Sequence, residues 1–515
     1  MSRKNFFFLD IRFSYMILDY LLKTGIILLN FLVAKPRFAT MFLKPKNIMK
    51  KLFISVSFVF ICFGLNLVYA ESEHPNIKIE FASSPNPVGS GARAMGMGGA
   101  FISVADDATA ASWNPAGLLQ INWSEVSVVG NWFHRTEDNS FGINPEADGT
   151  QSVSSKDINY FSLTYPFVAF EQCMPMVISL NYQQLYEFNR EWNVHFIHRS
   201  ISEFVSLTEY TDVDYDQTGT LSALGIAYAF KLPVKEHVYF GSTLNLWDDD
   251  LFNNEWDEKY YQTGKTTLIP SFPGVPSSIE TVSEYIRTDH YSFSGFNANL
   301  GLLWKKVGIF KDKDYLKVGM VVKLPFTADL THKRTQDQML NGDSLAGIPV
   351  ESGEELDMPL SYGIGISYRP SNTFTISADI YRTEWDDFIL TDSNGHETSP
   401  ITNESPEASD IDATHQIRLG TEYLYHVKGR KYQIPFRAGL FYDPAPAKGG
   451  HDDYYGFSLG SGFESYYVVF DVAYQCRLGK DVASSLLPSE ADFSQDVEEH
   501  IIYASVIFRF KEKKK

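Results

Sequence analysis

The eleven residues from Pro359 to Arg369, PLSYGIGISYR, alternate between large apolar side chains and small or polar ones. From Leu360 onward, every even-numbered residue is Leu, Ile or Tyr, and every odd-numbered residue is Ser, Gly or Arg. A period of two is the pattern of a β-strand whose two faces meet different surroundings. The same alternation recurs near the end of the chain, where one face carries Ile502, Ala504, Val506, Phe508 and Phe510.

Fourteen segments of this kind follow one another along the chain. Most of them run ten to fourteen residues, which is longer than ordinary globular strands and suits a tilted membrane crossing. The predicted segments lie near residues 123–134, 157–168, 175–188, 219–232, 236–249, 290–305, 315–326, 359–369, 373–385, 413–426, 432–443, 454–464, 465–478 and 499–510.

The connections between these segments alternate between long and short. Residues 232–236 and 369–373 are examples of the short ones. Outer-membrane barrels have short periplasmic turns and longer extracellular loops in strict alternation, and an even number of strands. A soluble sandwich has no reason to keep this rhythm. The sequence therefore predicts an all-β protein, a 14-stranded antiparallel transmembrane β-barrel, with loops at the long connections.

An export signal precedes the predicted barrel. Met49 is followed by two lysines, residues 52–67 are apolar, and Val68-Tyr69-Ala70 is a suitable cleavage site. We therefore interpret residues 49–70 as a signal peptide and residues 1–48 as an upstream mis-start extension. The alternative, a membrane helix over the apolar run 15–34, is disfavoured because Asp19 and Lys23 interrupt that run.

The signal and the strands divide the remaining chain into three predicted parts. Residues 71–122 form an N-terminal hatch (plug) inside the lumen, residues 123–510 form the barrel, and residues 511–515 form a basic periplasmic tail. The end of the barrel, residues 505–510, resembles the C-terminal signal that the outer-membrane insertion machinery reads, although the basic tail departs from the usual ending.

Charge and cysteine content narrow the function. Ten of the 44 Lys/Arg and two of the 63 Asp/Glu lie in residues 1–70, which leaves a net charge of −27 for the rest. This balance argues against nucleic acid as a partner. Only Cys173 and Cys476 follow the signal, too few for a disulfide framework. The barrel topology places them at opposite ends, which excludes a bond between them.

The predicted hatch contains a glycine-rich stretch, Gly89 to Leu118, GSGARAMGMGGAFISVADDATAASWNPAGL. Such a stretch makes poor helix and poor strand but suits a tightly turning plug. Its ordered motifs resemble the hatch of the FadL/TodX family of outer-membrane transporters for fatty acids and aromatic hydrocarbons: Gly91-Ala92-Arg93-Ala94, Gly98-Gly99-Ala100, Asp106-Asp107-Ala108 and Asn114-Pro115-Ala116.

The resemblance implies passive uptake without cofactor or catalysis. Hydrophobic substrate would enter between the extracellular loops, reach a pocket beside the hatch, and leave sideways through a gap at a kinked third strand. The third predicted strand, residues 175–188, contains Pro175 at its start but no internal Gly or Pro, so its sequence announces no kink. The hatch or gating residues that the resemblance implies are Arg93, Gly98, Gly99, Asp106, Asp107, Asn114, Pro115 and Ala116.

Several of these residues also have plain structural interpretations. Arg93 in a confined plug is expected to pair with Asp106 or Asp107, because an unpaired buried charge is costly; the alternative is a substrate carboxylate. The two aspartates are expected to bond backbone amides within the hatch. Asn114-Pro115 is either a gating contact or the turn that ends the plug.

Outside the hatch, no feature indicates catalysis or a metal. The connection 250–289 is rich in Asp and Glu and is expected to be a hydrated acidic loop, with calcium binding as the open alternative. His195 and His198 are interpreted as surface residues. Polar side chains are candidates for the lumen, whereas the facing of three aromatic residues stays open: Asn297, Asn299, Asp471 and Arg477 in the first group, and Phe161, Tyr165 and Trp247 in the second.

Two functions of different classes remain. The first is a hatch-gated channel in the bacterial outer membrane for long-chain fatty acids or other hydrophobic molecules, acting as a monomer among outer-membrane lipids. The second is a docking protein, because the plug also resembles the PorV-type barrels of a bacterial secretion system. An apolar lumen patch beside the hatch would favour transport. A polar lumen with an exposed apolar loop surface would favour docking.

Overall fold

The computed structural model describes residues 79, 81, 84–86, 88–169, 174–202, 205–234, 237–270, 278–311, 313–487 and 492–510. The predicted mis-start extension, signal peptide and basic tail lie outside the described residues, as does Cys173. The predicted start of the hatch at residue 71 also lies outside them.

The described chain is almost entirely β-structure. Its strands are β1 Ser124–Phe141, β2 Gly149–Ala169, β3 Met174–Glu187, β4 Arg190–Ile201, β5 Val205–Lys231, β6 His237–Trp247, β7 Glu255–Pro270, β8 Ile279–Val307, β9 Tyr315–Lys323, β10 Phe326–Leu340, β11 Asp343–Ala346, β12 Val350–Met358, β13 Ser361–Ser371, β14 Phe374–Thr383, β15 Ile389–Thr391, β16 Glu397–Thr398, β17 Thr414–His426, β18 Tyr432–Tyr442, β19 Ala445–Ala447, β20 Gly450–Asp452, β21 Tyr454–Ser465, β22 Val468–Val482 and β23 Phe493–Phe510.

Helices are few and short. They comprise α1 Ala92–Gly96, α2 Ala110–Trp113, α3 Asp249–Phe252 and α4 Pro406–Ser409, with 3₁₀ turns at Pro115–Gln120, Pro145–Ala147 and Trp385–Asp387. No helix among the described residues is long and apolar enough to cross a membrane.

Fourteen of the strands form one closed antiparallel barrel, which we call the wall. Around the wall the order is β1, β2, β3, β5, β6, β8, β9, β13, β14, β17, β18, β21, β22 and β23. The last strand closes the barrel on the first, with a register running from Ser124–Phe510 to Phe141–Phe493. Each predicted segment contributes to one wall strand, so the predicted 14-stranded antiparallel barrel is confirmed.

The outer surface of the wall is an apolar belt. In β13, Tyr362, Ile364 and Ile366 point outward and are 38–48% exposed, whereas the intervening residues point inward and are buried. Neighbouring strands continue the belt with Ile376, Ile380, Ile417, Leu419, Leu440, Leu459, Phe470 and Ile502. Soluble proteins rarely expose so much contiguous apolar surface, and this arrangement is that of an outer-membrane barrel.

The two ends of the wall differ. The turn end carries both wall termini, Ser124 and Phe510, and short connections such as residues 372–373 between β13 and β14. The loop end carries the long connections. Beyond the belt at the loop end, β1, β2, β5 and β8 continue as β-structure; β8 alone has 29 residues, whereas a tilted strand crosses a bilayer in about ten.

The expectation that the long connections are loops is wrong for four of them. The first consists mostly of the continued ends of β1 and β2. In the other three, β4, β7, β10 and β12 add to the long ends of β5 and β8 and build a sheet beyond the belt, the loop-end extension. The predicted acidic loop 250–289 is therefore mostly β7 and the beginning of β8. In β7, Glu255 and Asp257 lie on the outward face, whereas Glu258 shares the inward face with buried Trp256.

The extension also places the two histidines considered as ligands. His195 and His198 lie in β4 with exposed side chains, and His195 Nδ1 contacts Asp212. Among the described residues, no group of three His, Cys, Asp or Glu side chains is arranged to hold a metal ion. Cys476 is a buried free thiol.

Candidate functional site

The plug segment, residues 88–123, lies inside the wall. Its helices and 3₁₀ turn contact wall strands on opposite sides of the lumen, α1 against β18, β21 and β22 and the turn against β5, β6 and β8. Most of its side chains are fully buried. After α1 the chain turns sharply at Gly98 and Gly99, which have φ of 68° and 73°. A side chain at Gly99 would also meet Arg418 Nη1 at 2.8 Å, so both conformation and space require glycine here.

Arg93 is the centre of the plug's ion pairs. Its Nη1 lies 2.6 Å from Asp106 and 3.3 Å from Asp107, the pairing expected from the sequence. Its Nε and Nη2 donate to Glu422 of β17 at 2.9 and 3.0 Å. Burial alone lowers the pKa of Arg93, but Glu422 and Asp106 outweigh burial and raise that pKa well above its ordinary value. The guanidinium stays charged and fixes the plug to the wall.

The two aspartates act differently. Asp106 contacts Lys317 of β9 at 3.4 Å in addition to Arg93. Burial favours its neutral form, but Arg93 and Lys317 outweigh burial and hold the pKa of Asp106 far below its usual range. Asp107 accepts hydrogen bonds from the backbone N–H and the hydroxyl of Thr109. Asp107 thus shapes the plug from within, whereas Asp106 joins the plug to the wall.

Asn114 bridges plug and wall. Its Nδ2 donates to the carbonyl of Ile102 within the plug and to that of Leu302 in β8, both at 3.0 Å. Its Oδ1 accepts from the backbone N–H of Ala116, which caps the 3₁₀ turn that begins at Pro115. The turn interpretation therefore describes the local structure, and the contact with Leu302 adds a bond to the wall.

The wall residues that hold the plug were only partly anticipated. Asp471 was a lumen candidate from the sequence, and it accepts from Arg437, which also contacts Glu422. Glu422, Arg437, Lys317 and Asp379 were missed. The available signal was a charged residue on the inward face of an otherwise apolar or glycine-containing strand. Asp379 accepts from the backbone N–H of Ile102 at 2.8 Å.

The three aromatic residues whose facing the sequence leaves open do not all lie on the same face of the wall. Trp247 is buried and points inward, and Tyr165 is 47% exposed on the outside. Phe161 shares the outward face of β2 with Tyr165. Asn297 and Asn299 lie on the inward face of β8, as expected.

A cavity of about 90 Å³ lies on the loop-end side of the plug. Plug residues Val88 and Met95 line it together with many polar and charged wall residues: Asn131, Asn159, Gln183, Gln184, Glu187, Arg418, Asp443, Gln475, Arg477 and Glu499. An apolar cavity of about 150 Å³ holds one benzene molecule. The cavity is therefore too small for a long-chain ligand in this state, and its lining mixes these polar residues with apolar ones such as Phe133, Phe441 and Ile501.

The wall is interrupted beside this cavity. The ladder between β2 and β3 runs from Ala169–Met174 to Tyr160–Gln183 and then stops. Beyond Gln183 the register of β3 against β5 shifts at Leu185, a bulge formed without Gly or Pro. Two side-chain bonds cross the interruption: Asn159 Nδ2 donates to the carbonyl of Gln184 at 3.3 Å, and Ser155 Oγ donates to Glu187 Oε1. We call this interruption the seam.

A cluster of buried aromatic rings lies toward the loop end. Phe188, Trp256, Tyr291 and His332 stack face to face, with ring centroids 4.5–4.6 Å apart. Trp247 packs against Phe293 and Phe326 nearby. The four stacked rings are at most 2% exposed, so they form a core that holds the extension to the wall.

No family model and no curated protein matches this chain. Among solved structures, it is similar to a Pseudomonas aeruginosa FadL homologue at 13% identity and a TM-score of 0.49, over 84% of this chain and 100% of that one. It is similar to the Pseudomonas putida toluene transporter TodX at 15% identity and a TM-score of 0.47, and to the Ralstonia pickettii toluene transporter TbuX at 15% and 0.44; each covers 83% of this chain and 100% of the other.

Proposed function

We propose that this protein is an outer-membrane channel of the FadL/TodX type for the passive uptake of hydrophobic small molecules, with the plug segment as its hatch. The observation that carries the proposal is the seam. A cavity that touches the plug borders a break in the β2–β3 ladder, where only side chains of β2, Asn159 and Ser155, bond across to β3. A ligand in that cavity has a short route out of the lumen into the membrane.

The free energy of the ligand fits such a route. Transfer of an apolar ligand out of water is favourable in proportion to the area that is buried. The ligand passes the cavity beside the plug and enters the lipid, so a concentration gradient suffices to drive it. Because the cavity is small, this state corresponds to the closed one in the proposal, and the bonds of Arg93 to Glu422 and of Asn114 to Leu302 keep the hatch in its place on the wall. The barrel acts as a monomer without cofactor in this proposal.

The experiment is uptake by cells that lack their own transporter. Radiolabelled long-chain fatty acid and radiolabelled toluene are supplied separately to cells with the wild type, with Asn114→Ala/Pro115→Ala, or with the exposed control Asn394→Ala, at equal surface expression. Uptake of either ligand that falls in the double variant but not in the control supports the hatch-gated channel and identifies the ligand class. No uptake from a correctly inserted wild-type barrel contradicts it.

A second candidate, a docking protein of a secretion system, is favoured by two observations. The cavity beside the plug is lined by charged pairs such as Arg477–Glu499, and the hairpin ends of the extension expose apolar residues. Ile201 and Ile348 are 82% and 86% exposed. Replacing both by Ser would lower the surface attachment of exported proteins if the barrel docks them, and would leave fatty-acid or toluene uptake unchanged.

A further inference from the structure

Inward-facing charges near the turn end of the wall are arranged in two different ways. On one side of the lumen, acidic and basic residues alternate. Arg509 of β23 lies between Glu125 of β1 and Glu464 of β21, with N–O distances of 3.1 and 3.0 Å. Glu125 is also the register partner of Arg509 on the neighbouring strand. Opposite charges on facing strands stabilise a sheet, so this side balances its own charges.

On the other side, basic residues face one another. Lys305 of β8 and Lys317 of β9 are directly opposite in the antiparallel ladder and share its inward face. His237 of β6 is the register partner of Lys305 on the other neighbouring strand. Like charges directly opposite each other destabilise a sheet. Three neighbouring strands thus place basic side chains in one row, an arrangement that does not serve the stability of the wall.

Tyr315 of β9 holds the cations of this region together. Its ring centroid lies 4.8 Å from Lys305 Nζ, 5.4 Å from Lys317 Nζ and 5.7 Å from Arg369 Cζ. Arg369 of β13 is the register partner of Tyr315 and donates from Nη1 to its hydroxyl at 2.9 Å. Cation–π contacts position these charges but do not neutralise them. We call Lys305, Lys317, Arg369 and Tyr315 the turn-end cationic site.

Carboxylates around this site are engaged elsewhere. Asp106 of the plug lies 3.4 Å from Lys317 Nζ, but it also pairs with Arg93. Asp314 accepts from backbone N–H groups and from the hydroxyl of Tyr368. Within the described part of the chain, no carboxylate forms an ion pair with the other two cations of the site. The site therefore carries more positive than negative charge.

The site is accessible from the turn end. Lys317 is 2% exposed, whereas Lys305, Tyr315 and Arg369 are half-buried and residues 306–308 beside them are exposed. Arg369 is fixed, because it also donates to two carbonyls of the following turn at 3.3 and 2.6 Å. A guanidinium fork and ammonium groups held in this way match the oxygens of carboxylates and phosphates.

We propose that the turn-end cationic site binds a carboxylate or phosphate group that reaches the barrel from the turn end, the end that faces the periplasm in outer-membrane barrels. The bound group contacts Lys305 and Arg369 and supplies the negative charge that the row lacks. None of the four residues lines the cavity beside the plug. The proposal therefore goes beyond the channel function and does not depend on it. Two sources carry this chemistry, a free small anion and the head group of an amphiphile.

The unfolding temperature of the purified barrel in a neutral detergent tests the proposal. Inorganic phosphate, acetate and decanoate are each added in rising concentration, and sodium chloride keeps the ionic strength constant so that general screening does not change. Wild type is compared with Lys305→Gln/Arg369→Gln. The matched control is Lys428→Gln/Arg430→Gln, which removes the same charge from exposed positions at the same end of the barrel.

An anion that binds only the folded barrel raises its unfolding temperature by mass action. We expect a saturating rise of about 2 °C or more with at least one of the three anions, in the wild type and in the control but not in the site variant. A rise with acetate or phosphate identifies a free anion, and a rise with decanoate alone identifies the head group of an amphiphile. No rise in the wild type, or an equal rise in the site variant, overturns the proposal.

A second measurement separates a binding role from a structural one. At low salt and without added anion, Arg509→Gln should lower the unfolding temperature, because it leaves Glu125 and Glu464 without their cation. Lys305→Gln should keep it within about 1 °C of the wild type or raise it, because the opposed lysine pair is relieved. A clear fall with Lys305→Gln shows that this lysine serves the fold and overturns the proposal. Neither measurement involves uptake, so a failure of the channel function leaves both tests valid.

Discussion

Arg93 of the plug and Glu422 of β17 form a two-point ion pair, with Nε–Oε2 at 2.9 Å and Nη2–Oε1 at 3.0 Å. Glu422 is 1% exposed. It lies two residues from Gly420 on the same inward face of β17, where the plug backbone meets the wall. A bidentate pair fixes orientation as well as distance. The plug is therefore held in one orientation by a charge pair next to the close contact between its backbone and Gly420.

Replacing Arg93 by Ala should loosen the plug. The substitution leaves the buried Glu422 with one cation fewer and Asp106 with Lys317 alone, and breaking a buried pair costs about 3 kcal/mol. We expect a lower unfolding temperature of the barrel and faster entry of small polar solutes into cells. Arg93→Lys keeps the charge but loses the two-point geometry, so its unfolding temperature and solute entry should lie between those of the wild type and of Arg93→Ala.

The matched control is Arg382→Ala, because Arg382 pairs with Glu384 at 2.7 Å while its side chain is 40% exposed at the loop end. That variant should resemble the wild type in both measurements. Equal effects of the two alanine substitutions would show that the pair with Glu422 does not hold the plug.

Replacing Gly301 by Ala should displace Asn114. The added methyl group overlaps Asn114 Oδ1 and lies 2.9 Å from Pro115 Cδ. Overpacking of this kind costs about 1–3 kcal/mol, and it also breaks the bond to the carbonyl of Leu302. We expect faster exchange of the Ala116 amide and a less stable barrel. Gly353→Ala, at a position with no neighbour within 4 Å, should change neither, and an identical response of both variants contradicts the close contact of Gly301 with Asn114.

The loop-end extension should become less stable as the pH rises. Burial alone lowers the pKa of His332, but its contacts with Asp289 and Glu354 outweigh burial and raise that pKa above 6.5, despite the nearby charge of Arg334. A raised pKa in the folded state gives a stabilisation that is complete below the unfolded value and is lost as the pH rises through the folded one.

Hydrogen exchange of the β8 and β10 amides, measured at about pH 6 and about pH 9, tests this prediction after correction for the intrinsic rates. Protection should fall at the higher pH in the wild type, and this fall should be absent in His332→Gln. His426→Gln, at the turn end, should behave like the wild type. An unchanged pH response in His332→Gln would assign the effect to other groups.

The wall could be predicted from the sequence because its two faces meet two different solvents. In β13, lipid requires Ile364 and Ile366 on one face, and the crowded lumen requires Gly363 and Gly365 on the other. This contrast imposes the period of two directly on the residues. The outer-membrane rhythm of short and long connections then fixes the topology.

The extension could not be predicted in the same way, because the contrast between its two faces is weaker. In β7 the outward residues are charged or polar, but inward Glu258 and Gln262 are polar as well, so the alternation is weak. Its strands form because β5 and β8 continue beyond the belt and offer them edges. The bulge at Leu185 is likewise set by pairing with β5 rather than by any local Gly or Pro.

The plug motifs indicated which residues matter but not their partners. The contact between Arg93 and Asp106 joins residues of one segment and could be expected from charge alone. Glu422 is more than three hundred residues away, and only the closed barrel brings it to Arg93. Wall glycines such as Gly301 could not be recognised from the sequence as contacts of the plug, because nothing in a strand's own residues shows what its inward face meets.

The most direct test of the account is to close the seam. Asn159→Cys/Gln184→Cys, without the native cysteines, places a disulfide where Asn159 now donates to the carbonyl of Gln184, and Thr164→Cys/Ser179→Cys places one in the intact part of the same ladder. Radiolabelled fatty acid and toluene uptake are measured with each bond oxidised and reduced. If the ligand leaves the lumen at the seam, only the seam disulfide stops uptake, and reduction restores it. Unchanged uptake with the seam disulfide fully formed would contradict it.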